Sequence, residues 1–115
     1  MYTQMIPHQQ RILQDLFPYL KPIHLRAILN TPTSGWTAGV TYDLLTGCRC
    51  LLGVVDGMQA NGEVLHEVRL PNQAPFWIEV TDAFDTLFTQ WGAEPTVSFL
   101  HALARNSLQR WNENK

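Results

Sequence analysis

The stretch TYDLLTGCRCLLGVVDG, residues 41–57, decides the fold, because its apolar run can be read either as a strand or as a helix. Read with a period of two, the apolar positions of residues 48–54 fall on one face of a strand. Leu44-Leu45-Thr46-Gly47 then forms a tight hairpin connection to an earlier strand around Tyr42. Read as a buried helix, residues 50–58 instead make the protein mostly α. The strand is our first prediction, and the mostly α fold is the alternative.

Turn signals after this stretch favour further strands. Asp56-Gly57 and Asn61-Gly62 are strong turn dipeptides, and residues 64–70 then alternate apolar and polar side chains. Residues 76–80, Phe-Trp-Ile-Glu-Val, are aromatic and β-branched, which is typical of a fourth strand. The sequence therefore predicts an antiparallel meander of three to four strands.

Two helices are predicted before the strands. Apolar residues recur at helical spacing after Pro7, and Pro18 should end that helix near Phe17. A second short helix begins at Pro22 and ends before the loop at residues 30–35.

Two more helices are predicted after the strands. Thr81 or Asp82 can cap the first of them, and Gly92 can end it in a left-handed conformation. The last helix opens with Pro95 and keeps one apolar stripe as far as Trp111. With helices packed on one face of a sheet, the predicted class is α+β.

The composition describes one small domain and limits its partners. The 115 residues suit a single globular domain spanning 1–115. Charged residues make up 16% of the chain, below the roughly 25% of a typical domain, so we expect apolar surface covered in a homo-oligomer, most simply a homodimer. A net charge of -2 with two lysines argues against nucleic-acid binding. We expect no membrane span and no secretory signal, hence a cytoplasmic protein.

The two cysteines are weak candidates for chemistry. On a strand, Cys48 and Cys50 would project from the same face, and His66 is the most plausible third ligand for a metal. A structural zinc site needs four ligands, however, and the paired cysteine motifs that make such a site convincing are missing from the sequence. We therefore predict buried thiols on the core face of the sheet, with no metal and no cofactor.

Aromatic and acidic side chains are the remaining candidates for binding. Tryptophan is enriched at interaction hot spots, and carboxylates can engage a basic partner. The partner-binding residues predicted on this basis are Trp36, Trp111, Glu63, Glu67 and Glu79. If the protein binds a small ligand instead, the predicted pocket lies between sheet and helices and is lined by Tyr42, Trp77, Phe84 and Phe88.

The resulting functional prediction is a small non-catalytic protein-interaction domain. It would act as an adaptor, an immunity-type protein or an inhibitory factor, of the kind found in phage and mobile-element genomes. This is an analogy of composition, since no catalytic or phosphate-binding motif is recognisable. The alternatives are a small-ligand binding domain and an enzyme that depends on cysteine or histidine.

Overall fold

A computed structural model describes residues 2–70 and 73–113, with side chains described for 6–70 and 75–113. This part of the chain is built from α-helices and loops. The helices are α1 (Tyr2–Leu16), α2 (Pro22–Leu29), α3 (Leu51–Asp56), α4 (Gln73–Gln90) and α5 (Ala93–Glu113). Two short 3-10 helices span Phe17–Tyr19 and Thr33–Gly35.

The predicted β-meander is wrong, and the mostly α alternative is confirmed. Throughout residues 2–70 and 73–113, β-pairing is limited to isolated bridges, such as Tyr42 with Arg49 and Met58 with Val64. Residues 64–70, predicted as a strand, form a loop, and residues 76–80 lie inside α4. The buried positions Trp77, Val80, Phe84 and Leu87 continue at steps of three or four, so the aromatic run belongs to a long helix.

The decisive stretch also forms a helix where a strand was predicted. Leu51, Val54 and Val55 are all buried on the short helix α3. Gly57 ends this helix with a positive φ of 70°, as an αL cap does. The Asp56-Gly57 pair is therefore a helix end and does not connect two strands.

The other helix boundaries follow local signals more closely. The first helix ends at Leu16, as Pro18 predicts, although Pro7 lies inside α1 and does not begin it. The second begins at Pro22 as expected. Gly92 separates α4 from α5 with a φ of 112°, in agreement with the prediction. Thr81 and Asp82, predicted as a cap, lie in the middle of α4, because that helix begins earlier than its capping signals suggest.

Helix pairing encloses one hydrophobic cluster. α1 packs against α4, and α2 packs against both α5 and α3. Fully buried side chains come from every helix of the described chain. The largest are Leu13, Leu16, Leu20, Leu25, Ile28, Leu51, Phe84, Leu87 and Leu100. The core thus sits between the helices, and the long loop over residues 30–50 closes one side of it through Trp36.

Candidate functional site

The most exposed apolar side chains of the described residues lie together on one turn. Leu45 is 96% exposed and Leu44 is 76% exposed, in the middle of the loop that connects α2 to α3. We call residues 43–47 the dileucine turn. Single exposed leucines are common on protein surfaces, but two adjacent ones at a loop tip form a projecting apolar contact.

Hydrogen bonds on both sides hold the dileucine turn in one conformation. The Asp43 carboxylate accepts a bond from the Leu45 N–H at 2.9 Å, and the Asp43 carbonyl accepts one from the Gly47 N–H at 2.7 Å. The Cys48 N–H donates to Thr46 Oγ1 at 3.2 Å. The Cys48 carbonyl accepts a hydrogen bond from the Asp43 N–H at 2.8 Å. These bonds preorganise the turn, and the Leu44 and Leu45 side chains are exposed on it.

The base of the loop is fixed to the core by Trp36. Its side chain is 4% exposed, its Nε1–H donates to the Thr31 carbonyl at 3.0 Å, and its ring lies 5.8 Å from that of Phe84 between centroids. Next to it, the Arg49 N–H donates to the Gly35 carbonyl at 3.0 Å, and the Cys48 thiol donates to the Ser34 carbonyl at 3.1 Å. The two ends of the loop are therefore joined directly beside the buried indole.

A second surface feature is a groove between the ends of α1 and α5, which we call the α1–α5 groove. It has a volume of about 680 Å³ and is open to solvent. Trp111, 44% exposed, lies along it. A concave site of this size falls within the range of about 300–1,000 Å³ that small-molecule sites occupy.

The structure places the predicted partner-binding residues in different environments. Trp36 is buried, so its side chain supports the loop from below, whereas Trp111 is accessible in the α1–α5 groove. Glu63, Glu67 and Glu79 are all exposed, the first two in the loop after α3 and the third on α4. Within the described ranges, no three acidic, histidine or cysteine side chains come together in a way that could hold a metal ion.

The residues of the predicted alternative pocket serve mainly to pack the core. Trp77 and Phe84 are buried, and Phe84 and Phe88 pack with ring centroids 5.5 Å apart. Tyr42 is half-buried beside Gly47 at the base of the dileucine turn. The pocket was predicted between a sheet and helices; the described chain forms no sheet, and none of the four residues lines the α1–α5 groove.

The three weak metal-ligand candidates do not form a group that could hold a metal ion within the described part of the chain. Cys48 is half-buried and bonded to Ser34, while Cys50 is buried just before α3. His66 donates from Nδ1 to the Val55 carbonyl at 2.7 Å. Burial raises the pKa of the Cys50 thiol, which favours the protonated form over a nucleophilic thiolate. The prediction that both sulfurs line the core face of a sheet is wrong, because Cys48 remains partly accessible and neither cysteine lies in a strand.

Two histidines and Asp56 attach the loop of residues 57–70 to α2 and α3. The backbone N–H of Lys21 donates to His24 Nδ1 at 3.0 Å, so Nε2 carries the proton and donates to the His66 carbonyl at 2.9 Å. Asp56 Oδ1 accepts from the Val68 N–H at 2.9 Å. Burial lowers the pKa of His24, with smaller contributions from the charges of His66 and Lys21. Burial raises the pKa of Asp56 despite the bond from Val68.

We predict that His24 makes the fold less stable as the pH falls below its ordinary pKa of 6.5. The unfolded chain takes up the proton first, so the free energy of unfolding falls by at most about 1.4 kcal/mol per pH unit until the folded pKa is reached. Asp56 and Asp85, whose pKa values are raised, have the opposite slope nearer pH 4. The contribution of His24 is therefore measured as the difference between the free energies of unfolding of wild type and His24→Gln. Both are obtained from urea unfolding between about pH 7.5 and 5.

The control for this pH experiment is His8→Gln, which changes an exposed histidine on α1. Its stability should follow the wild-type pH dependence, while the His24→Gln curve should be flatter. Parallel curves for wild type and His24→Gln would show that the buried imidazole does not contribute to the pH dependence.

The sequence interpretation missed the outward direction of Leu44 and Leu45. It placed a turn there, which the structure confirms, but treated the leucines only as parts of a connection. Apolar residues at the centre of a turn, where polar residues dominate, were the available signal. Arg110 and Phe17, which also line the α1–α5 groove, had no distinguishing signal, because the two elements meet only in the folded chain.

Comparisons with known proteins add no functional assignment. No family model, no curated protein and no solved structure matches this chain. Among the helices of residues 2–70 and 73–113, none combines the length and apolar character needed to cross a membrane.

Proposed function

We propose that this chain is a small non-catalytic protein-interaction domain, of adaptor, immunity or inhibitory type, that inserts the dileucine turn into an apolar cleft of a partner protein. The observation that carries the proposal is the near-complete exposure of Leu44 and Leu45 on a turn held by hydrogen bonds. Exposure alone is a weak argument. Exposure on a preorganised convex turn is stronger, because such a turn loses little conformational entropy when it docks.

The expected contribution of the leucines follows from burial. Transferring a leucine side chain from water into an apolar cleft is worth about 1.5–3 kcal/mol. Two adjacent leucines therefore supply enough for a change of at least about a hundredfold in affinity. Leu45, almost fully exposed, is expected to contribute more than Leu44.

The chemistry of nearby side chains supports binding over catalysis. The Asp43 carboxylate is bonded to the backbone of the turn itself, and the Cys48 thiol is bonded to Ser34. Groups used in this way position the loop. A loop positioned in this way is suited to recognition, in which specificity comes from shape and apolar contact.

The test is the double variant Leu44→Asp/Leu45→Asp, compared with Ile78→Asp as a matched control. Ile78 is also an exposed apolar residue, but it lies on α4, and replacing it adds the same kind of charge. In affinity capture from the native host, proteins retained by wild type and by Ile78→Asp should be lost with the double variant. Unchanged circular dichroism would show that the double variant is folded, and a partner retained equally by all three proteins would contradict the proposal.

Self-association is tested with the same variants. If the cleft belongs to a second copy of this chain, wild type and Ile78→Asp should sediment as dimers or larger species, and the double variant as a monomer. A mass for wild type that stays monomeric at high concentration would exclude the homodimer predicted from composition.

A further inference from the structure

The α1–α5 groove has features that the dileucine turn does not explain. Its floor and walls include Phe17 and Pro18 from the 3-10 helix and Leu103 and Trp111 from α5. Positions 103, 107 and 111 follow each other at steps of four, so one face of α5 forms a whole side of the groove. The side chains that an apolar ligand would contact are therefore contiguous.

Arg110 gives the groove its charge. Among the described residues that line the groove it is the only charged one, and none of them is acidic. The nearest acidic residue along α5, Glu113, accepts a hydrogen bond from Gln109 at 3.2 Å. Within the part of the chain that the structure describes, the Arg110 guanidinium has no hydrogen bond or ion pair. An exposed arginine without a partner in the described chain, at a groove with apolar walls, is complementary to a single negative charge.

Three neutral polar residues line the groove beside Arg110, so half of its eight described lining residues are polar. Gln14, Asn106 and Ser107 supply amide and hydroxyl groups next to the apolar surface. Small-molecule sites combine apolar surface with polar groups that set the orientation of the ligand, and this lining supplies both. A groove for an amphipathic helix, by contrast, is lined by apolar residues along its length.

We propose that the α1–α5 groove binds a small organic carboxylate with an apolar body, a medium-chain fatty acid being the simplest member of the class. The guanidinium of Arg110 pairs with the carboxylate, because its planar fork matches the two oxygens. The hydrocarbon lies against Phe17, Leu103 and the indole of Trp111. This site is independent of the dileucine turn and of the protein partner proposed for it.

The test uses octanoate as the charged probe and octanol as its uncharged counterpart, with binding measured by calorimetry. The proteins are wild type, Arg110→Gln, Trp111→Ala and the control Arg105→Gln, which changes an exposed arginine of α5 outside the groove. Arg110→Gln should weaken octanoate by about tenfold or more and leave octanol unchanged. Trp111→Ala should weaken both probes, and Arg105→Gln should bind like wild type.

Backbone amide chemical shifts locate the site during the same titrations. On adding octanoate, shifts should concentrate in residues 14–18 and 103–111. The proposal is overturned if wild type does not bind octanoate, if octanol binds as tightly as octanoate, or if Arg110→Gln binds octanoate as wild type does. The Leu44→Asp/Leu45→Asp variant should bind octanoate normally, so the failure of either proposal can be recognised without the other.

Discussion

Replacing Gly53 with alanine is expected to remove about 3 kcal/mol or more of the free energy of unfolding. Helix propensity alone predicts the opposite sign, since alanine in a helix is favoured over glycine by about 1 kcal/mol. Packing decides the result. A Cβ at Gly53 would overlap the carbonyl oxygen of Thr41 and approach Cβ of Arg49 to 3.1 Å. The loss is a large fraction of the 5–15 kcal/mol that stabilises a typical domain.

This clash cannot be relieved by a side-chain rotation. The Thr41 carbonyl belongs to the backbone and also accepts the Cys50 N–H at 3.3 Å, the bond that joins the loop to the start of α3. To admit a methyl group, either α3 or the loop must move. The variant should therefore also release the dileucine turn, which lies between Thr41 and Cys50.

The matched control is Gly39→Ala in the same loop. Gly39 has a φ of 88°, but a Cβ there would meet nothing within 4 Å. Its cost is limited to backbone strain, about 1–2 kcal/mol. Urea unfolding of both variants separates the two effects, and a Gly53→Ala variant as stable as Gly39→Ala would show that the close approach to Thr41 is not needed.

Trp36→Ala is the second large effect, with an expected loss of about 3–5 kcal/mol. The indole is buried among core residues, so its removal leaves a cavity. It also removes one of the two hydrogen bonds to the Thr31 carbonyl, which keeps the bond from His101 Nε2 at 3.1 Å. Trp36→Phe keeps most of the ring contact with Phe84 and should lose the contribution of one hydrogen bond, about 1 kcal/mol, in addition to a smaller packing loss.

The two Trp36 variants also test the link between core and binding surface. In Trp36→Ala, hydrogen exchange at the amides of Leu45 and Cys48 should accelerate more than the global loss of stability explains, because the base of the loop is released. Trp111→Ala is the control, since its half-exposed indole should cost less than about 1 kcal/mol. If the amides of Leu45 and Cys48 exchanged in Trp36→Ala no faster than the global loss of stability predicts, Trp36 would not anchor the base of the loop.

Local sequence signals determined where many helices begin and end. Prolines 18 and 22 mark the end of the first helix and the start of the second, and Gly92 separates the last two. These positions act through steric restriction of a few dihedral angles, so a single sequence is sufficient to read them. Trp111, which the sequence predicted as a partner-binding residue, is 44% exposed.

Tertiary structure decided the central part of the chain, residues 41–80. The helix α3 has six residues, too few to be stable alone, and it forms because Leu51, Val54 and Val55 are buried against neighbouring helices. Burial likewise explains why residues 76–80, including the buried Trp77 and Val80, lie in the helix α4 and not in a strand. An element covered on several sides has apolar residues on several faces, so its sequence loses the period that distinguishes a helix from a strand.

The candidate sites depended on tertiary structure in the same way. Trp36, predicted as a partner-binding residue, is buried under the loop, whereas Leu45, predicted only as part of a connection, is exposed at its tip. Residue type sets the free energy gained on burial, but not whether the backbone directs a side chain inward. That direction comes here from the hydrogen bonds of Asp43 and from the packing of Trp36 on Phe84, contacts that exist only once the distant helices have come together.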